Sequence, residues 1–266
     1  MVVTATGTLD RIVQLFSGPR TTCALRSDRT LWCWGDNSSN QMGMVASTGV
    51  AVAHTAFSTM DRIFDVAITE SAIIVHYLGF KSSFSVEGFG NVPGPSTMSS
   101  EVLWYDASRI ADVAAGRDHV CARFDDGSVE CLGDNSFAQL GDGGFTSNSI
   151  PQTTLFTGAR GLHIIGNTTC IRNALGQVLC VGENSQGQIS AGMPVVTTPT
   201  TLLRGGLPIV GSETGLNASG AGSYRTNCVI ATNGSVFCQG LNNVGQFGND
   251  TTVSASSMQR TLGLTP

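Results

Sequence analysis

Short apolar stretches separated by polar turns run along the chain, and none keeps the three-to-four-residue spacing of an amphipathic helix. Residues 11–16 and 110–115 are two such stretches, each followed closely by glycine. Elsewhere a turn such as Asp125-Asp126-Gly127-Ser128 lies between two apolar flanks. Asp-Gly and Asn-Gly turns tolerate the positive φ of a tight hairpin. The pattern therefore predicts an all-β protein of short strands.

One hairpin pattern recurs four times and contains two cysteines that are ten residues apart in every copy. The pairs are Cys23/Cys33, Cys121/Cys131, Cys170/Cys180 and Cys228/Cys238. A glycine follows two residues after each second cysteine, and Asn and Gln recur in the loop beyond it. A worn copy without cysteines occupies residues 84–91, midway between the first two pairs. The chain thus contains five repeats of about fifty residues, and repeats of this length are typical of solenoids and propellers.

Each repeat contains about four predicted strands, which favours a β-propeller of about five four-stranded blades. We expect one β-propeller domain over residues 1–266, with repeats at approximately 8–50, 61–98, 108–150, 160–200 and 212–256. A five-bladed ring, a seven-bladed ring with two unrecognisable blades and an incomplete ring all stay open. Strand-like residues 2–6 and 253–257 suggest that the two ends pair within one blade. The predicted core between blades contains Trp32, Trp34, Phe89, Phe237 and Phe247.

Folding each ten-residue spacing about its turn can place the two cysteines on neighbouring strands, within reach of a disulfide. Metal binding is an alternative, but the spacing exceeds that of zinc knuckles and no histidine recurs beside the pairs. Reduced cysteines that simply pack are a second alternative. Intra-blade disulfides predict an oxidising location, so we expect an extracellular or cell-surface protein.

Charge and hydropathy narrow the class of partner. The chain has 14 Lys and Arg against 19 Asp and Glu, a net charge of −5, which disfavours nucleic acid and anionic membranes. No apolar stretch reaches eighteen residues, so we expect no membrane insertion. The first residues lack a basic segment followed by an apolar run, so we expect no signal peptide within this sequence. Expected partners are a protein, a glycan or copies of the chain itself.

The block from Cys121 to Gly141, with Asp-Gly-x-Val-x-Cys and Gly-Asp-Asn…Gln-Leu-Gly, resembles the repeat of the regulator-of-chromosome-condensation family. The paired cysteines resemble those of its secreted or surface members. This resemblance implies a propeller, usually with seven blades, and covers most of the chain. Nuclear members of the family exchange nucleotide on a small GTPase and touch chromatin, so the resemblance alone does not fix the function.

No residue pattern indicates catalysis or a cofactor. The four histidines share no ligand spacing, and we expect His119 to form a structural hydrogen bond within its blade. The Asp36-Asn37 and Asp134-Asn135 pairs could suggest calcium, but they lack dense alternating acidic ligands and fit turns better. A possible partner surface lies in the worn repeat. Its residues are Tyr77, Phe80, Lys81 and Phe84. Possible N-glycosylation sites are Asn37, Asn167, Asn217, Asn233 and Asn249.

These observations lead to a hypothesis and one alternative. The hypothesis is a non-enzymatic extracellular β-propeller, without metal or cofactor, that binds protein or glycan or forms part of a surface structure. A secreted glycoprotein belongs to this hypothesis. The alternative is an intracellular regulator of a small GTPase, of the nucleotide-exchange type. It would require reduced cysteines and usually seven blades.

Overall fold

The structure is a computed structural model of the chain. It describes residues 3–4, 7–43, 48–54, 56–57, 62–79, 84–91, 100–105, 107–202, 225–231 and 233–262. The predicted ranges 8–50, 61–98 and 212–256 therefore lie only partly within it. Among these described residues, no helix is long and apolar enough to cross a membrane.

The regular secondary structure of the described residues is β-strand, apart from one 3₁₀ turn at Ala107–Arg109. In chain order the strands are β1 (Val3–Thr4), β2 (Gly7–Thr8), β3 (Ile12–Ser17), β4 (Thr21–Arg26), β5 (Leu31–Gly35), β6 (Thr48–Ala53), β7 (Arg62–Ile68), β8 (Ala72–Leu78), β9 (Phe84–Gly90), β10 (Ser100–Tyr105), β11 (Ile110–Ala115), β12 (His119–Phe124), β13 (Val129–Gly133), β14 (Asn148–Thr153), β15 (Ala159–Ile165), β16 (Thr168–Asn173), β17 (Val178–Glu183), β18 (Val195–Thr201), β19 (Thr226–Ile230), β20 (Val236–Gly240) and β21 (Ala255–Arg260).

The strands form five antiparallel blades in sequence order. Blade 1 is β3–β6, blade 2 is β7–β10, blade 3 is β11–β14, blade 4 is β15–β18, and blade 5 contains β19–β21. The first strand of a blade is its inner strand, and β3, β7, β11 and β15 contact one another in that order. The all-β propeller with one blade per repeat is thereby confirmed. The last strand of each blade ends one to seven residues beyond the predicted end of its repeat.

The cysteine hairpins have the predicted register. Cys121 in β12 lies directly opposite Cys131 in β13, and the turn between them has Gly127 at φ 85°. The other three hairpins pair their cysteines in the same way. The four disulfides that form are Cys23–Cys33, Cys121–Cys131, Cys170–Cys180 and Cys228–Cys238. Each one links the two central strands of its blade and closes a short loop, so the chain-entropy model assigns it about 3 kcal/mol of stabilisation.

Blade 2 keeps the fold without a disulfide. In its hairpin, Ile74 and Gly88 lie opposite each other, at the positions that the two cysteines hold elsewhere. The Ile74 side chain is fully buried in the cluster that joins blades 2 and 3. Glycine on the opposite strand leaves room for this bulky residue, so apolar packing replaces the cystine.

The hydrophobic core consists of layers between successive blades rather than one central cluster. Four clusters join blade 1 to blade 2, blade 2 to 3, blade 3 to 4 and blade 4 to 5. Of the predicted core residues, Phe89 and Phe247 are buried. Trp32, Trp34 and Phe237 are only partly buried, so the sequence overestimated their burial.

The predicted pairing of the two chain ends is wrong. Strand β1 pairs in parallel with β6 and antiparallel with β2, which extends the outer edge of blade 1. Strand β21 pairs with β20 as the outer strand of blade 5. In the described residues, no apolar cluster joins blade 5 to blade 1. The described blades and their four junctions form an arc.

Candidate functional site

The Asn of each loop motif has a structural role. Asn135 is fully buried, its Oδ1 accepts the amide of Leu140 at 3.0 Å, and its Nδ2 donates to Gly144 O at 3.2 Å. The same Oδ1 contact recurs at the equivalent Asn in three other blades. These residues are Asn37, Asn184 and Asn242. In each loop the amide that donates belongs to a buried apolar residue, and in blades 1, 3 and 4 the Asn thereby positions a side chain that packs between blades.

The predicted disulfide cysteines of blades 1, 3 and 4 belong to the core and not to an accessible site. Cys33 and Cys180, the second cysteines of blades 1 and 4, are each 0% exposed. Cys33 packs in the cluster between blades 1 and 2, and Cys180 packs in the cluster between blades 4 and 5. Cys131 of blade 3 is buried in the same way between blades 3 and 4. These residues therefore serve the fold, and a ligand cannot reach them while the blades stay together.

Polar links also cross from one blade to the next. His119 in blade 3 is fully buried, and its Nε2 lies 2.8 Å from Thr169 Oγ1 in blade 4. Because the Thr169 hydroxyl donates to Gln139 O at 2.6 Å, Nε2 carries the proton and donates to Thr169. Burial lowers the pKa of His119 to about 4. The predicted structural role is thus supported, but the bond crosses a blade junction instead of staying within the blade.

Three equivalent positions recur in blades 1 to 4, on the side of the blade that faces the blade before it. The sequence analysis did not predict that these positions pack between blades. They are Ile12, Leu15 and Trp34 in blade 1; Ile63, Val66 and Phe89 in blade 2; Ile110, Val113 and Leu132 in blade 3; and Ala159, Leu162 and Val181 in blade 4. In blades 2 to 4, all nine side chains are at most 8% exposed and pack against the preceding blade.

In blade 1 the same three positions are uncovered. Leu15 is 65% exposed, and Ile12 and Trp34 are only partly buried. The adjacent Val13 is 62% exposed. We call Ile12, Leu15 and Trp34 the open face. Aligning β3 with β7, β11 and β15 would have revealed its apolar character, but only the structure shows that no described blade covers it.

The open face also has a polar position. In blades 4 and 5 the side chain at this position donates a hydrogen bond to the preceding blade. Thr169 in blade 4 donates to Gln139 O, and Asn227 in blade 5 donates to Gln188 O at 2.7 Å. Thr22 occupies this position in blade 1 and is partly buried. The open face therefore resembles the covered junctions in both its apolar and its polar groups.

The predicted partner surface in blade 2 is not one surface. Tyr77 packs edge-on against Phe57 of blade 1, and its hydroxyl donates to Glu87 at 2.8 Å. Phe84 stacks on Phe64 and packs in the cluster shared with blade 3. The two residues thus lie on opposite sides of the sheet, as the alternation of a strand requires. Phe80 and Lys81 lie outside the described residues, so their part of the prediction is untested.

Comparison with known proteins agrees with the repeat structure. The family model described as "Regulator of chromosome condensation (RCC1) repeat" matches residues 12–41 and 110–139. Residues 12–41 and 110–139 thus carry the RCC1 repeat pattern. The resemblance predicted from the cysteine hairpin and the Gly-Asp-Asn loop is therefore confirmed. The E3 ubiquitin-protein ligases HERC2 of Homo sapiens and of Mus musculus are each 29% identical over 154 residues, covering 54% of this chain. The match covers 3% of either relative, a small part of its length.

Solved structures show the same RCC1-type fold. Human WBSCR16 superposes with a TM-score of 0.72 at 19% identity, over 95% of this chain and 67% of that chain. Yeast RCC1 (Prp20), in a complex with Kap60, gives 0.74 at 15% identity, over 95% and 64%. Prp20p from Saccharomyces cerevisiae, whose structure is described with its binding to Gsp1p and histones, gives 0.65 at 15% identity, over 94% and 76%. At these identities the likeness establishes the fold and not the function.

Ionic groups join the RCC1 blades along the loops that precede the second strand of each blade. Glu70 in blade 2 contacts Arg20 of blade 1 at 3.3 Å and Arg117 of blade 3 at 3.0 Å. Deeper in the same region, Asp65 Oδ2 accepts the Val113 amide of blade 3 at 3.1 Å. Burial raises the pKa of Asp65 to about 6. Glu70 and Asp65 therefore serve blade junctions.

The described residues contain no group of three or more His, Cys, Asp and Glu side chains that could hold a metal ion. Burial lowers the pKa of His54, His76 and His163, which are enclosed by the RCC1 blades. We therefore base no catalytic role on these histidines.

The predicted glycosylation sites differ in their surroundings. Asn37 is buried and its Nδ2 donates to Gly43 O at 3.0 Å, so the folded RCC1 loop already uses the nitrogen that a glycan would need. Asn167 Nδ2 donates to Glu183 at 3.2 Å. Asn249 is partly buried, Asn233 is exposed, and Asn217 lies outside the described residues. Glycosylation at these positions stays a prediction, with Asn233 the most accessible of the four described sites.

Proposed function

We propose that this chain is a non-enzymatic RCC1-type propeller whose function is to bind another protein. The observation that carries the proposal is the open face, where Leu15 is 65% exposed and its counterparts Val66, Val113 and Leu162 are each 6% exposed. Exposed apolar surface of this kind marks sites of interaction in soluble proteins.

The covered junctions indicate the chemistry of the partner. In blades 2 to 4 the same positions pack against apolar side chains of an antiparallel sheet, and in blades 2 and 4 these include the two cysteines of the preceding blade. We therefore infer that the partner presents an apolar β-sheet surface to the open face. A carbonyl oxygen near Thr22 would complete the match, because Thr169 and Asn227 each bond such an oxygen at the internal junctions.

The comparisons favour an intracellular regulator of a small GTPase as the first functional class. Yeast RCC1 (Prp20) is bound by Kap60, and Prp20p is described with binding to Gsp1p and histones. Those interactions belong to the relatives, and here they support a protein partner rather than a glycan. The net charge of −5 argues against direct binding to nucleic acid.

A second class, an extracellular or cell-surface propeller, is favoured by the four disulfides. Disulfides persist in oxidising compartments and are rare in the cytosol and nucleus. A surface component built from copies of the chain, or a glycan-binding protein, belongs to this class.

Two measurements on native protein separate the classes. The first is intact mass after free thiols are blocked before unfolding. The second is the rate of fluorescent-nucleotide release from a panel of small GTPases. Eight free thiols with accelerated release support the regulator. Four disulfides with no acceleration overturn the regulator and support the extracellular class.

The binding surface is tested separately with Leu15→Asp. We expect it to weaken binding of a partner captured by photocrosslinking at least about tenfold, because a charge would enter an apolar contact. Leu175→Asp is the matched control, since Leu175 is 83% exposed at a turn of blade 4, away from the open face. Equal binding by wild type and both variants would contradict the proposed surface.

A further inference from the structure

The four disulfides occupy equivalent positions but are not equally covered. The pairs Cys23–Cys33, Cys121–Cys131 and Cys170–Cys180 are 0% exposed at both cysteines. In every one of these three blades the disulfide lies on the face that the following blade covers, and it joins the cluster shared with that blade. Cys228 in blade 5 is partly exposed, the only one of the eight cysteines that is not buried. Its disulfide partner Cys238 is 2% exposed.

The neighbouring residue shows the same difference. Val236 begins the second cysteine strand of blade 5 and is partly buried. Its counterparts Leu31, Val129 and Val178 are 1%, 0% and 3% exposed. The contacts on the other side of blade 5 are intact, because Val229 is buried in the cluster with blade 4. Cys228 and Val236 are therefore the residues exposed on the face directed away from blade 4, whereas Cys238 and Phe247 of the same blade are 2% and 1% exposed.

We propose that Cys228–Cys238 is a thiol–disulfide exchange site for a low-molecular-weight thiol. A thiolate attacks Cys228 Sγ and forms a mixed disulfide, while the original S–S bond breaks and its electron pair leaves on Cys238 Sγ, which takes up a proton from water. A second thiolate attacks the sulfur of the bound thiol and releases the oxidised thiol pair. Cys228 then leaves as a thiolate and is protonated. Two thiols thus supply the two electrons that reduce one disulfide.

Reduction acts on blade 5 and on its junction with blade 4. The disulfide links β19 to β20, and both strands send polar side chains across that junction. Asn227 in β19 donates to Gln188 O at 2.7 Å, and Gln239 in β20 donates to Gly187 O at 3.2 Å. Loss of the covalent link loosens the register that holds both donors. The exchange site therefore makes the last described blade the redox-sensitive part of the arc.

The test measures the reduction rate of each disulfide in the native wild-type protein. The protein is exposed to reduced glutathione, samples are quenched with acid and alkylated, and the peptides are quantified by mass spectrometry. Cys121–Cys131 is the internal control, because it has the same hairpin and the same separation of 10 residues but is fully buried. We expect Cys228–Cys238 to be reduced at least about tenfold faster, since exchange depends on access and the covered pairs require a blade junction to open.

The early mixed disulfide supplies a second readout. We expect glutathione on Cys228 and not on Cys238, because the Cys228 residue is the more exposed of the two. Reduction of all four disulfides at the same rate, or earlier reduction of Cys121–Cys131, would overturn the proposal. An adduct found mainly on Cys238 would also overturn it.

Discussion

Leu15 and Leu162 are the same residue at the same position of two blades, yet one is 65% exposed and the other 6%. Each follows a register shift in its inner strand and pairs with the residue after the first cysteine of its blade. The difference comes from the preceding blade, which covers Leu162 and is absent from the described residues beside Leu15. A blade in this arc is thus completed by its neighbour, and the junction is the unit that buries apolar surface.

The comparison of covered and uncovered positions also explains the roles of the residues that recur in the repeats. The loop Asn residues fix the side chains that fill the junctions, and the cystine lies on the face that the next blade covers. A group at a junction contributes through its neighbours, whereas the same group at the open face contributes little to folding.

The largest expected effect is the difference in the free energy of unfolding between two truncations, Leu162→Ala and Leu15→Ala. We expect Leu162→Ala to lower the free energy of unfolding by about 2–5 kcal/mol, because it removes a covered side chain and leaves a cavity. Leu15→Ala should change it by less than about 0.5 kcal/mol, as for most exposed positions. Urea unfolding of both variants measures the difference. Equal losses would break the comparison and indicate that Leu15 is covered.

A second prediction concerns the pH dependence of stability, because His119 is buried at the junction of blades 3 and 4. Burial lowers its folded-state pKa from 6.5 to about 4, so the unfolded state takes up the proton first as the pH falls. The neutral histidine therefore costs no stability above about pH 6.5, and stability is lost as the pH falls from 6.5 towards 4. The loss reaches about 3 kcal/mol at full effect.

The matched variant is His119→Thr, since the equivalent residue is Thr21, Thr168 or Thr226 in three other blades. We expect the stability of wild type relative to this variant to fall by about 2–3 kcal/mol between pH 6.5 and 4. Taking the difference removes the opposite contribution of Asp65, whose raised pKa favours the folded state as the pH falls below about 6. If the stabilities of wild type and His119→Thr changed equally with pH, the lowered pKa of His119 would be contradicted.

The smallest effect is expected at the ionic links on the junction rim. Glu70 pairs with Arg20 and Arg117, whose side chains are 60% and 53% exposed. We expect Glu70→Gln to change the free energy of unfolding by less than about 1 kcal/mol, because exposed ion pairs are weak and screened. The change should shrink further in high salt. A loss comparable with that of Leu162→Ala would mean that charge, rather than apolar burial, holds the blades together.

The sequence predicted what lies within a blade and failed on what lies between blades. The cysteine spacing and Asp-Gly turn predicted the Cys121–Cys131 register, because a hairpin is a local structure. The exposure of Leu15 depends on a different blade, so no local pattern contains it. His119 was expected to bond within its blade, but its partner Thr169 lies 50 residues away on the next one.

The two described residues of the predicted partner surface are separated for a related reason. Tyr77 and Phe84 are close in sequence and both aromatic, which suggested a single patch. Their strands pair Tyr77 with Ser85 and Phe84 with Leu78, which places the two rings on opposite faces of blade 2. Once the register is known, strand alternation alone requires this separation.

The central claim is that blade 1 presents an uncovered apolar face, and side-chain footprinting of native wild-type protein tests it most directly. Hydroxyl radicals label exposed leucines, and mass spectrometry locates the label. We predict heavy labelling of Leu15 and strong protection of Leu162, with Leu175 as the exposed reference. If Leu15 were as protected as Leu162 in the isolated chain, the open face would not exist and the proposed binding surface would be wrong.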